Sequence, residues 1–492
     1  MAGSLLGVAA LVLFSAPANA FLAPASPASF LGQRHVSSSS CHVQPFTMMS
    51  EALNKHEEVI GGKGGGATYG ESSAGTMRTV IKFGGSSLAT AERLVEVANL
   101  VKLLISQGQR PTMVCSAMGK TTNHLLSAGQ FALEDQKVYI DAIRTLHLTT
   151  ANDLELGERV QKDIEELLDE LEGLLTGIKF LQELTPRSLD HLVSFGERMS
   201  VRMVAAQLNR IGVPAQHFDS WVMGMKTTAD YGNAEILPES YSNIKTSFGK
   251  YDDNTVAVVT GFIGMSPEGK ITTLGRGGSD LTATVIGAAI GADEVQVWKD
   301  VDGMMTADPR AVGQAVPVPC VSYEEAAELA YFGAKILHPV SMRPAQQANI
   351  PVRIKNSYNP SHPGTVITNE RCYDGENKLV TAITFKKGVE LIDLVSTRML
   401  GQYGFLSQVF NIFEECSLSI DMVATSEVSI SLTLDQTEKN KRSKGEALRK
   451  LSSIAAVTAR DSVAIISLIA NVARSSEVMA EVFGCMRDAD IQ

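Results

Sequence analysis

The feature that most constrains this chain is the segment VIKFGGSS at residues 80–87, where a short apolar run ends at a lysine and two glycines. An apolar run of this length, followed by glycines, is typical of a buried strand that ends in a turn. Glycine lets the backbone N–H groups of such a turn approach a ligand closely. Lys82 adds a compact positive charge beside them. We interpret the segment as a strand and turn suited to phosphate, a pattern that many strand–helix turns share.

Composition narrows the class of protein without deciding its function. The chain has 492 residues, of which 44% are hydrophobic and 20% charged, as in ordinary globular proteins. This length allows about two to four domains. A net charge of −11 argues against nucleic-acid binding as the main role. The six cysteines lack metal-ligand spacing, so we expect a reduced compartment, no structural zinc and no protein metal site.

The first 75 residues differ from the rest and are excluded from the predicted fold. The first fifty contain no Asp or Glu, and the apolar run at 5–14 is too short to span a bilayer. It ends in PANA at 17–20, a small-residue cleavage pattern that predicts a signal peptide over residues 1–20, although a charged segment before it is missing. Residues 21–75 then read as a plastid transit peptide and a glycine-rich linker. The two parts resemble the presequences of algae with complex plastids, which predicts a plastid enzyme with no membrane segment in its mature form; secretion is the alternative.

From Arg78 onward, strands alternate with helices, as in an α/β fold. Apolar residues at helical spacing over 91–107 predict a helix, and 111–115 predicts a second buried strand. The following segment, SAMGKTTN at 116–123, imitates the end of a Walker A loop. That motif requires glycine where this chain has Val114, which excludes a P-loop ATPase. The segment can still form a second phosphate or substrate loop at the carboxyl edge of the sheet.

Two further motifs suggest a binding site. The predicted helix over 189–211 contains FGER at 195–198, and a glycine inside a helix costs about 1 kcal/mol, so Gly196 indicates a close approach. The segment GRGGSD at 275–280 precedes a small-residue helix with a Ser/Asp cap. Helix N-terminal amides favour anions, and Arg276 can clamp a carboxylate. A purely structural turn would not need this arginine.

Four separated motifs now stand in one order: KFGGS at 82–86, FGER at 195–198, GRGGSD at 275–280 and FGAKILHP at 332–339. Together they resemble the aspartokinases, members of the amino acid kinase family, and most of all the monofunctional, lysine-sensitive plant type. The resemblance covers about residues 78–492. It implies an amino acid kinase domain over 76–370, with a mainly parallel central sheet flanked by helices, followed by α+β, ferredoxin-like ACT modules.

The resemblance also implies the reaction, which is ATP-dependent phosphorylation of the side-chain carboxylate of L-aspartate at the start of lysine, threonine and methionine synthesis. In the family's pattern, Lys82 stabilises the transferring phosphoryl group and Asp280 orients Lys82. Glu197 would bind the amino group of aspartate and Arg276 its α-carboxylate. The implied substrate-binding set is Thr122, Glu197, Phe262, Arg276 and Ser279. The implied ATP-binding set is Lys82, Gly84, Gly85, Ser86, Ser116, Lys299, Asp300, Met305, Arg310 and Lys335.

These residue types fit phosphoryl transfer, which requires alignment and charge neutralisation more than covalent help from the protein. Mg²⁺ is expected to be carried mainly by the ATP phosphates. Met305 stands where bacterial relatives often have tyrosine, which puts an aromatic contact there in doubt. We interpret His338 as a capping or packing residue, since no base is required.

The C-terminal part, from Leu379, predicts strands over 381–386, 390–396, 418–423, 428–434 and 463–470, with helices over 404–415, 444–451 and 476–487. This pattern resembles two ACT modules, one nested in the other, over 378–462 and 463–492. Relatives continue through further strands of the second module, so we expect a truncated sequence; the alternative is that the missing strands come from elsewhere. ACT modules imply a homodimer or homotetramer.

The resemblance implies a pocket for L-lysine as the feedback effector. Its residues would be Met399, Phe405, Leu406, Ser419, Asp421, Ser426 and Glu427. The carboxylates Asp421 and Glu427 suit a cationic ligand, although both could be ordinary surface carboxylates. The sequence does not decide whether S-adenosylmethionine is a second effector.

Two alternative functions stay open. The chain could be another amino acid kinase, such as one acting on glutamate, which the FGER motif and the ACT-like tail disfavour. It could instead be a non-catalytic amino-acid sensor, which the presence of Lys82, Glu197, Arg276 and Asp280 disfavours.

Overall fold

A computed structural model describes residues 10–14, 76–252, 254–332, 337–370, 379–396, 403–435, 438–470 and 474–490. These residues belong to one compact unit. The strands are β1 Ala10–Phe14, β2 Met77–Phe83, β3 Gln109–Cys115, β4 Ala215–Phe218, β5 Val256–Thr260, β6 Ile263–Met265, β7 Ile271–Thr273, β8 Glu294–Lys299, β9 Cys320–Ser322, β10 Val352–Asn356, β11 Thr365–Thr368, β12 Val380–Val395, β13 Met422–Thr425, β14 Ser429–Asp435 and β15 Ala456–Ala470. The helices are α1 Ala91–Ser106, α2 Thr121–Glu134, α3 Asp141–Asp153, α4 Glu158–Leu181, α5 Pro186–Arg210, α6 Glu239–Phe248, α7 Gly278–Ile290, α8 Tyr323–Phe332, α9 Pro339–Gln347, α10 Phe405–Glu415, α11 Glu438–Leu451 and α12 Ser475–Asp488.

An eight-stranded sheet in the order β4-β5-β3-β2-β8-β10-β11-β9 forms the centre of the first domain. Its pairs are parallel except β10 with β11. Strand β2 lies in the middle and is buried on both faces, which is why it reads as a continuous apolar run. Ile81 and Phe83 pack into the core with α1 and α5, whereas Val80 packs into the core with α7. The predicted mainly parallel sheet flanked by helices is therefore confirmed.

The parallel register gathers several turns at one edge of this sheet. Phe83 is level with Cys115 on one side and with Trp298 on the other, and Cys115 is level with Thr260. Because all these strands run in the same direction, the turns that follow them leave from the same edge. Open parallel sheets bind ligands at this edge.

The second domain is an antiparallel sheet in the order β1-β15-β12-β14-β13. Helix α10 connects β12 to β13, and α11 connects β14 to β15, which is the ferredoxin-like arrangement predicted. Both helices contribute to a core on this sheet that includes Phe413 and Ala447. Strand β1, which lies within the predicted signal peptide, pairs antiparallel with β15.

The predicted strand boundaries in this domain are partly wrong. The segments predicted as two strands, 381–386 and 390–396, form the single strand β12, with register shifts around Val389. The strand predicted to begin at Val463 begins instead at Ala456. The reason is that β12 and β15 pair along nearly their whole lengths, so the irregularity bends the pair without ending it.

The two domains are in direct contact. Ala382 of β12 and Ile469 of β15 belong to the same apolar core as helices α7 and α9 of the first domain. The backbone N–H of Ile383 donates a hydrogen bond to the carbonyl of Thr306, with an N···O distance of 2.7 Å. The second sheet is thus attached to the loop that follows β8.

Cys320 is disulfide-bonded, which is contrary to the expectation of reduced cysteines, whereas Cys115, Cys416 and Cys485 are free. Within the described ranges, no helix combines the length and the apolar character needed to cross a membrane. The same ranges contain no group of three or more His, Cys, Asp or Glu side chains that could hold a metal ion.

Candidate active site

Three turns at the carboxyl edge of the first sheet surround a cavity of about 380 Å³. They are the 3₁₀ turn Gly85–Leu88 after β2, the segment before α2, and the segment before α7. Because each turn opens a helical segment, backbone N–H groups without helical partners gather there, which favours an anion. The cavity is lined by Lys82, Gly85, Ser116, Ala117, Gly119, Thr122, Asn123, Glu197, Phe262, Gly275, Gly277, Gly278, Ser279 and Asp280.

Gly85 is required by the close contact between the first two turns. A Cβ atom on Gly85 would lie 2.7 Å from the carbonyl oxygen of Ala117. The N–H of Gly119 donates to the carbonyl of Gly85 at 3.0 Å. Any larger residue at position 85 would push the two turns apart. Gly85, which we predicted to allow a close approach of a ligand, is therefore also required for the packing of these turns.

Two lysines share one buried carboxylate at the floor of the cavity. Lys82 Nζ lies 2.7 Å from Asp280 Oδ1, and Lys299 Nζ lies 3.4 Å from Asp280 Oδ2. Burial raises the pKa of Asp280, but the two ammonium groups outweigh this effect and hold that pKa below its usual range. Burial likewise lowers the pKa of Lys299, against the opposing charge of Asp280. The cluster has one net positive charge, which suits a phosphate group.

The position of Asp280 differs slightly from the prediction. Ser279 and Asp280 were expected to cap the helix, but α7 begins at Gly278, so both lie in its first turn. An acidic side chain is favourable in the first turn of a helix. The Ser279 hydroxyl accepts a hydrogen bond from the Ser116 hydroxyl at 3.0 Å, which joins the second and third turns.

Glu197 provides a carboxylate with an open oxygen. Its helix approaches the second turn so closely that a Cβ on Gly196 would lie 2.7 Å from Cβ of Ala117, which explains the glycine inside a helix. One oxygen, Oε1, accepts the N–H of Ala117 at 3.2 Å. The other, Oε2, is buried and has no hydrogen-bond partner among the residues that the structure describes. Burial raises the pKa of Glu197 to about 8. This arrangement can accept an ammonium group.

Arg276 lies beside the cavity and is exposed. In the part of the chain that the structure describes, it forms no ion pair. Phe262 lines the cavity with a positive φ of 68°, which is strained for a residue other than glycine. Its N–H donates to the Thr282 hydroxyl at 3.1 Å, and its carbonyl accepts the N–H of Leu274 at 2.9 Å. These two bonds, one to Thr282 within α7 and one from Leu274 just after β7, hold the strained residue in place.

The residues expected to bind ATP are only partly brought together. Lys82, Gly85 and Ser116 line the cavity. Gly84, Ser86, Lys299, Asp300, Met305 and Arg310 do not line it, and Lys335 lies outside the described residues. Arg310 is exposed and pairs with Asp308 at 2.8 Å. Lys120 of the Walker-like segment is exposed and does not line the cavity either.

A hydroxyl network beneath the first turn is absent from the sequence predictions. The Ser357 hydroxyl lies 2.9 Å from the Ser87 hydroxyl and donates to the carbonyl of Lys299 at 3.0 Å. It also accepts a hydrogen bond from Arg93 Nη2 at 3.0 Å. Ser357 therefore connects the 3₁₀ turn, the end of β8 and helix α1. No motif marks it, because its partners lie far away in sequence.

His338 occupies the N-cap position of α9, and its carbonyl accepts the N–H of Ser341. Its side chain makes no capping hydrogen bond to the described residues, so the interpretation of this histidine as a capping or packing residue stays a prediction.

Most residues expected to bind the effector lie on α10 and around β13. Phe405 is buried, Leu406 is 41% exposed, and Ser426 and Glu427 are exposed in the turn before β14. Ser419 and Asp421 precede β13, and Met399 lies outside the described residues. Asp421 Oδ2 pairs with Lys386 Nζ at 2.6 Å. Of the two carboxylates expected to bind a cationic effector, Asp421 is thus already paired with a lysine of this chain.

The sequence and the structure of this chain are similar to those of known proteins. The model of the amino acid kinase family matches residues 77–356. Aspartokinase 3, chloroplastic, of Arabidopsis thaliana is 49% identical over 422 residues, which cover 83% of this chain and 74% of the relative. The structure of Escherichia coli aspartokinase III with aspartate and ADP (R-state) is 33% identical and covers 83% of this chain and 91% of its own, with a TM-score of 0.68. The same enzyme with lysine and aspartate (T-state) covers 80% and 87%, at 33% identity and a TM-score of 0.66.

Proposed function

This chain belongs to the aspartokinases of the amino acid kinase family, and we propose that its cavity transfers a phosphoryl group from ATP to the side-chain carboxylate of L-aspartate. The resemblance seen in the sequence is confirmed by the family match and by the relatives. The observation that carries the proposal is one cavity lined by both the Lys82–Asp280 pair and the open carboxylate of Glu197. The product is 4-phospho-L-aspartate, which opens the synthesis of lysine, threonine and methionine.

The phosphate end of the cavity stabilises the charge of the transferring group. Lys82 contacts the phosphoryl oxygens, and Asp280 holds the Lys82 ammonium at 2.7 Å so that it needs no reorganisation during the reaction. Backbone N–H groups of the 3₁₀ turn after β2 add further donors. Phosphoryl transfer depends mainly on such positioning and charge stabilisation.

The substrate end recognises the two charges of the amino-acid backbone. Glu197 Oε2 accepts the ammonium group, and Arg276 binds the α-carboxylate. Thr122, Phe262 and Ser279 complete this subsite. The side-chain carboxylate then faces the phosphate end, where its oxygen forms the new bond to phosphorus as the bond to the ADP oxygen breaks. A carboxylate is ionised at neutral pH, so the reaction requires no general base.

The nucleotide binds through Lys82, Gly84, Gly85, Ser86, Ser116, Lys299, Asp300, Met305, Arg310 and Lys335. The carboxylates that line the cavity are Asp280 and Glu197, and Asp280 is already held by two ammonium groups. This donor set fits a Mg²⁺ ion that is carried mainly by ATP phosphate oxygens. Bound there, the ion neutralises phosphate charge.

The second domain binds L-lysine as a feedback effector. We propose boundaries of 76–370 for the kinase domain and 378–462 and 463–492 for two ACT modules. The effector residues are Met399, Phe405, Leu406, Ser419, Asp421, Ser426 and Glu427. The E. coli structure with lysine and aspartate supports lysine as a ligand. A homodimer or homotetramer through the ACT modules is part of the proposal, and a role for S-adenosylmethionine stays open.

We propose that the chain acts in a plastid, with residues 1–20 as signal peptide and 21–75 as transit peptide and linker. Strand β1 lies within this signal peptide, so its pairing with β15 would belong to the uncleaved chain and be lost on cleavage. The chloroplastic relative of Arabidopsis thaliana supports plastid targeting. The two-part presequence is the basis for assigning the plastid to an alga with a complex plastid.

Substrate comparison tests the proposed reaction. ADP release is measured with L-aspartate, L-glutamate and N-acetyl-L-glutamate at equal concentrations. We expect turnover with aspartate and little with the others, since glutamate is one methylene longer and acetylation removes the ammonium group that Glu197 binds. Preference for glutamate or its acetyl derivative would indicate a different amino acid kinase, and no turnover with any of them would indicate a sensor.

A further inference from the structure

We propose that Asp190 is a positioning residue for the aspartate subsite, which fixes the turn that carries Arg276 relative to Glu197. This inference rests on the proposed function and deepens it. Asp190 belongs to none of the four motifs, and its side chain does not line the cavity. Its effect on the substrate would therefore act through Arg276.

Asp190 is a buried carboxylate that is held by neutral donors. Only 2% of the residue is exposed. Its Oδ2 accepts the backbone N–H groups of Gly232 and Thr273, both at 2.9 Å, and its Oδ1 accepts the Thr273 hydroxyl at 2.8 Å. Within the described parts of the chain, no cation pairs with it. Burying a carboxylate without a cation is costly unless its oxygens are hydrogen-bonded, so these three bonds are needed for Asp190 to be there.

The two segments that Asp190 holds both support Arg276. Thr273 ends β7, three residues before Arg276. The turn containing Gly232 and Asn233 packs directly beneath Gly275, where a Cβ atom would lie 2.6 Å from Asn233 Oδ1. The carbonyl of Thr273 also accepts the N–H of Ala234 at 2.8 Å, which ties the two segments together. One carboxylate thus fixes the backbone on both sides of the arginine's turn.

Helix α5 connects this anchor to the other end of the substrate. Asp190 and Glu197 are seven residues apart on α5, which is about two turns and about 10 Å along the same helix face. The helix is buried over much of this length. The separation between the acceptor for the ammonium group and the turn that carries Arg276 is therefore set by one rigid element.

The substitution Asp190→Leu tests this role, because leucine has a similar shape but no acceptor oxygen, so the donors of Gly232 and Thr273 lose their partner. We expect KM for aspartate to rise about tenfold or more with KM for ATP within about twofold, since a small misplacement weakens only the group that is displaced. A role in stability alone would instead lower the melting temperature and leave both KM values near wild type. Equal rises in both KM values, or no rise for aspartate, would overturn the proposal.

Thr273→Val is the second variant, in case Asp190→Leu does not fold. It removes one donor to Asp190 and retains both backbone donors, so we expect a smaller rise in KM for aspartate, in the same direction. The matched control is Asp293→Asn. The Asp293 carboxylate also accepts a backbone N–H, from Arg78 at 2.7 Å, but it precedes β8 at the opposite edge of the sheet. We expect this control to leave both KM values unchanged.

Amide hydrogen exchange provides a readout that does not depend on the substrate. In Asp190→Leu, the amides of Gly232 and Thr273 lose their acceptor, so we expect their exchange to be about tenfold faster or more, with the amides of the 3₁₀ turn after β2 unchanged. If wild type fails to phosphorylate aspartate, the proposed function is wrong, while the exchange result still decides whether Asp190 fixes this turn. Unchanged exchange at both positions would overturn the proposal whatever the activity.

Discussion

At the scale of the residue, Glu197 is the side chain whose ionisation the account depends on most. Its Oε2 is buried and has no hydrogen-bond partner in the described part of the chain, and burial raises the pKa of Glu197 from an ordinary 4.5 to about 8. In the empty site this carboxyl is therefore protonated at neutral pH. An ammonium group that binds beside it favours the ionised form and displaces the proton.

This gives a pH prediction for substrate binding. Below about pH 8, part of the binding energy of aspartate is spent on removing the proton from Glu197, so KM for aspartate should rise by up to about tenfold per unit as the pH falls from 8 to 6. Above pH 8 the dependence should level off. Glu197→Gln should have a higher KM that no longer varies over this range. A flat profile in wild type would contradict the assignment of Glu197.

Residue roles were predictable only where a motif marks them. Lys82, Glu197 and Asp280 stand in motifs whose spacing is shared with a family, so their place beside one cavity could be expected. Asp190 could not be found in this way, because its partners Gly232 and Thr273 are 42 and 83 residues away in sequence. A buried aspartate on a helix gives no local signal of the donors it will meet.

At the scale of the element, the site is an edge where β2, β3, β5 and β8 end together and helical segments begin. Ser357, just after β10, connects the 3₁₀ turn after β2 to the end of β8 through its hydroxyl. The 3₁₀ turn lies at the proposed phosphate end of the cavity, and Lys299 pairs with Asp280, which lines that end. This network should therefore affect nucleotide binding.

Ser357→Ala should raise KM for ATP by roughly fivefold, since the net worth of a hydrogen bond is about 1 kcal/mol, and leave KM for aspartate within about twofold. Steady-state kinetics with each substrate varied in turn measures the split. The control is Ser242→Ala, at an exposed position of helix α6. It removes a hydroxyl that donates to the carbonyl of Glu239 in the same helix. If the larger change fell on KM for aspartate, the network would belong to the other subsite.

Hydrophobic periodicity predicted the type of most elements. The wrong boundaries lie where strand pairing overrides the local pattern. The two strands predicted over 381–386 and 390–396 are one strand, because β15 pairs across the irregularity between them. The pairing of β1 with β15 was also unpredictable, since 450 or more residues separate the partners and local pattern carries no information about such contacts.

At the scale of the whole molecule, the kinase domain and the second sheet share an apolar core and a backbone hydrogen bond from Ile383 to Thr306. The proposed effector residues lie elsewhere on that sheet, around α10 and β13. Binding there can change activity only if the ligand prefers one of two arrangements of the molecule. Catalysis is therefore proposed for the cavity, and lysine recognition for the second sheet.

The most direct test of this division is a paired measurement on wild type and Lys82→Ala. Turnover is measured by trapping the acyl phosphate with hydroxylamine, and lysine binding by calorimetry. We predict that Lys82→Ala loses turnover by about 10²-fold or more, because a charge contact to the transferring group is removed, while the affinity for lysine is unchanged. Full activity in Lys82→Ala, with or without loss of lysine binding, would contradict the central claim that this cavity carries out the transfer.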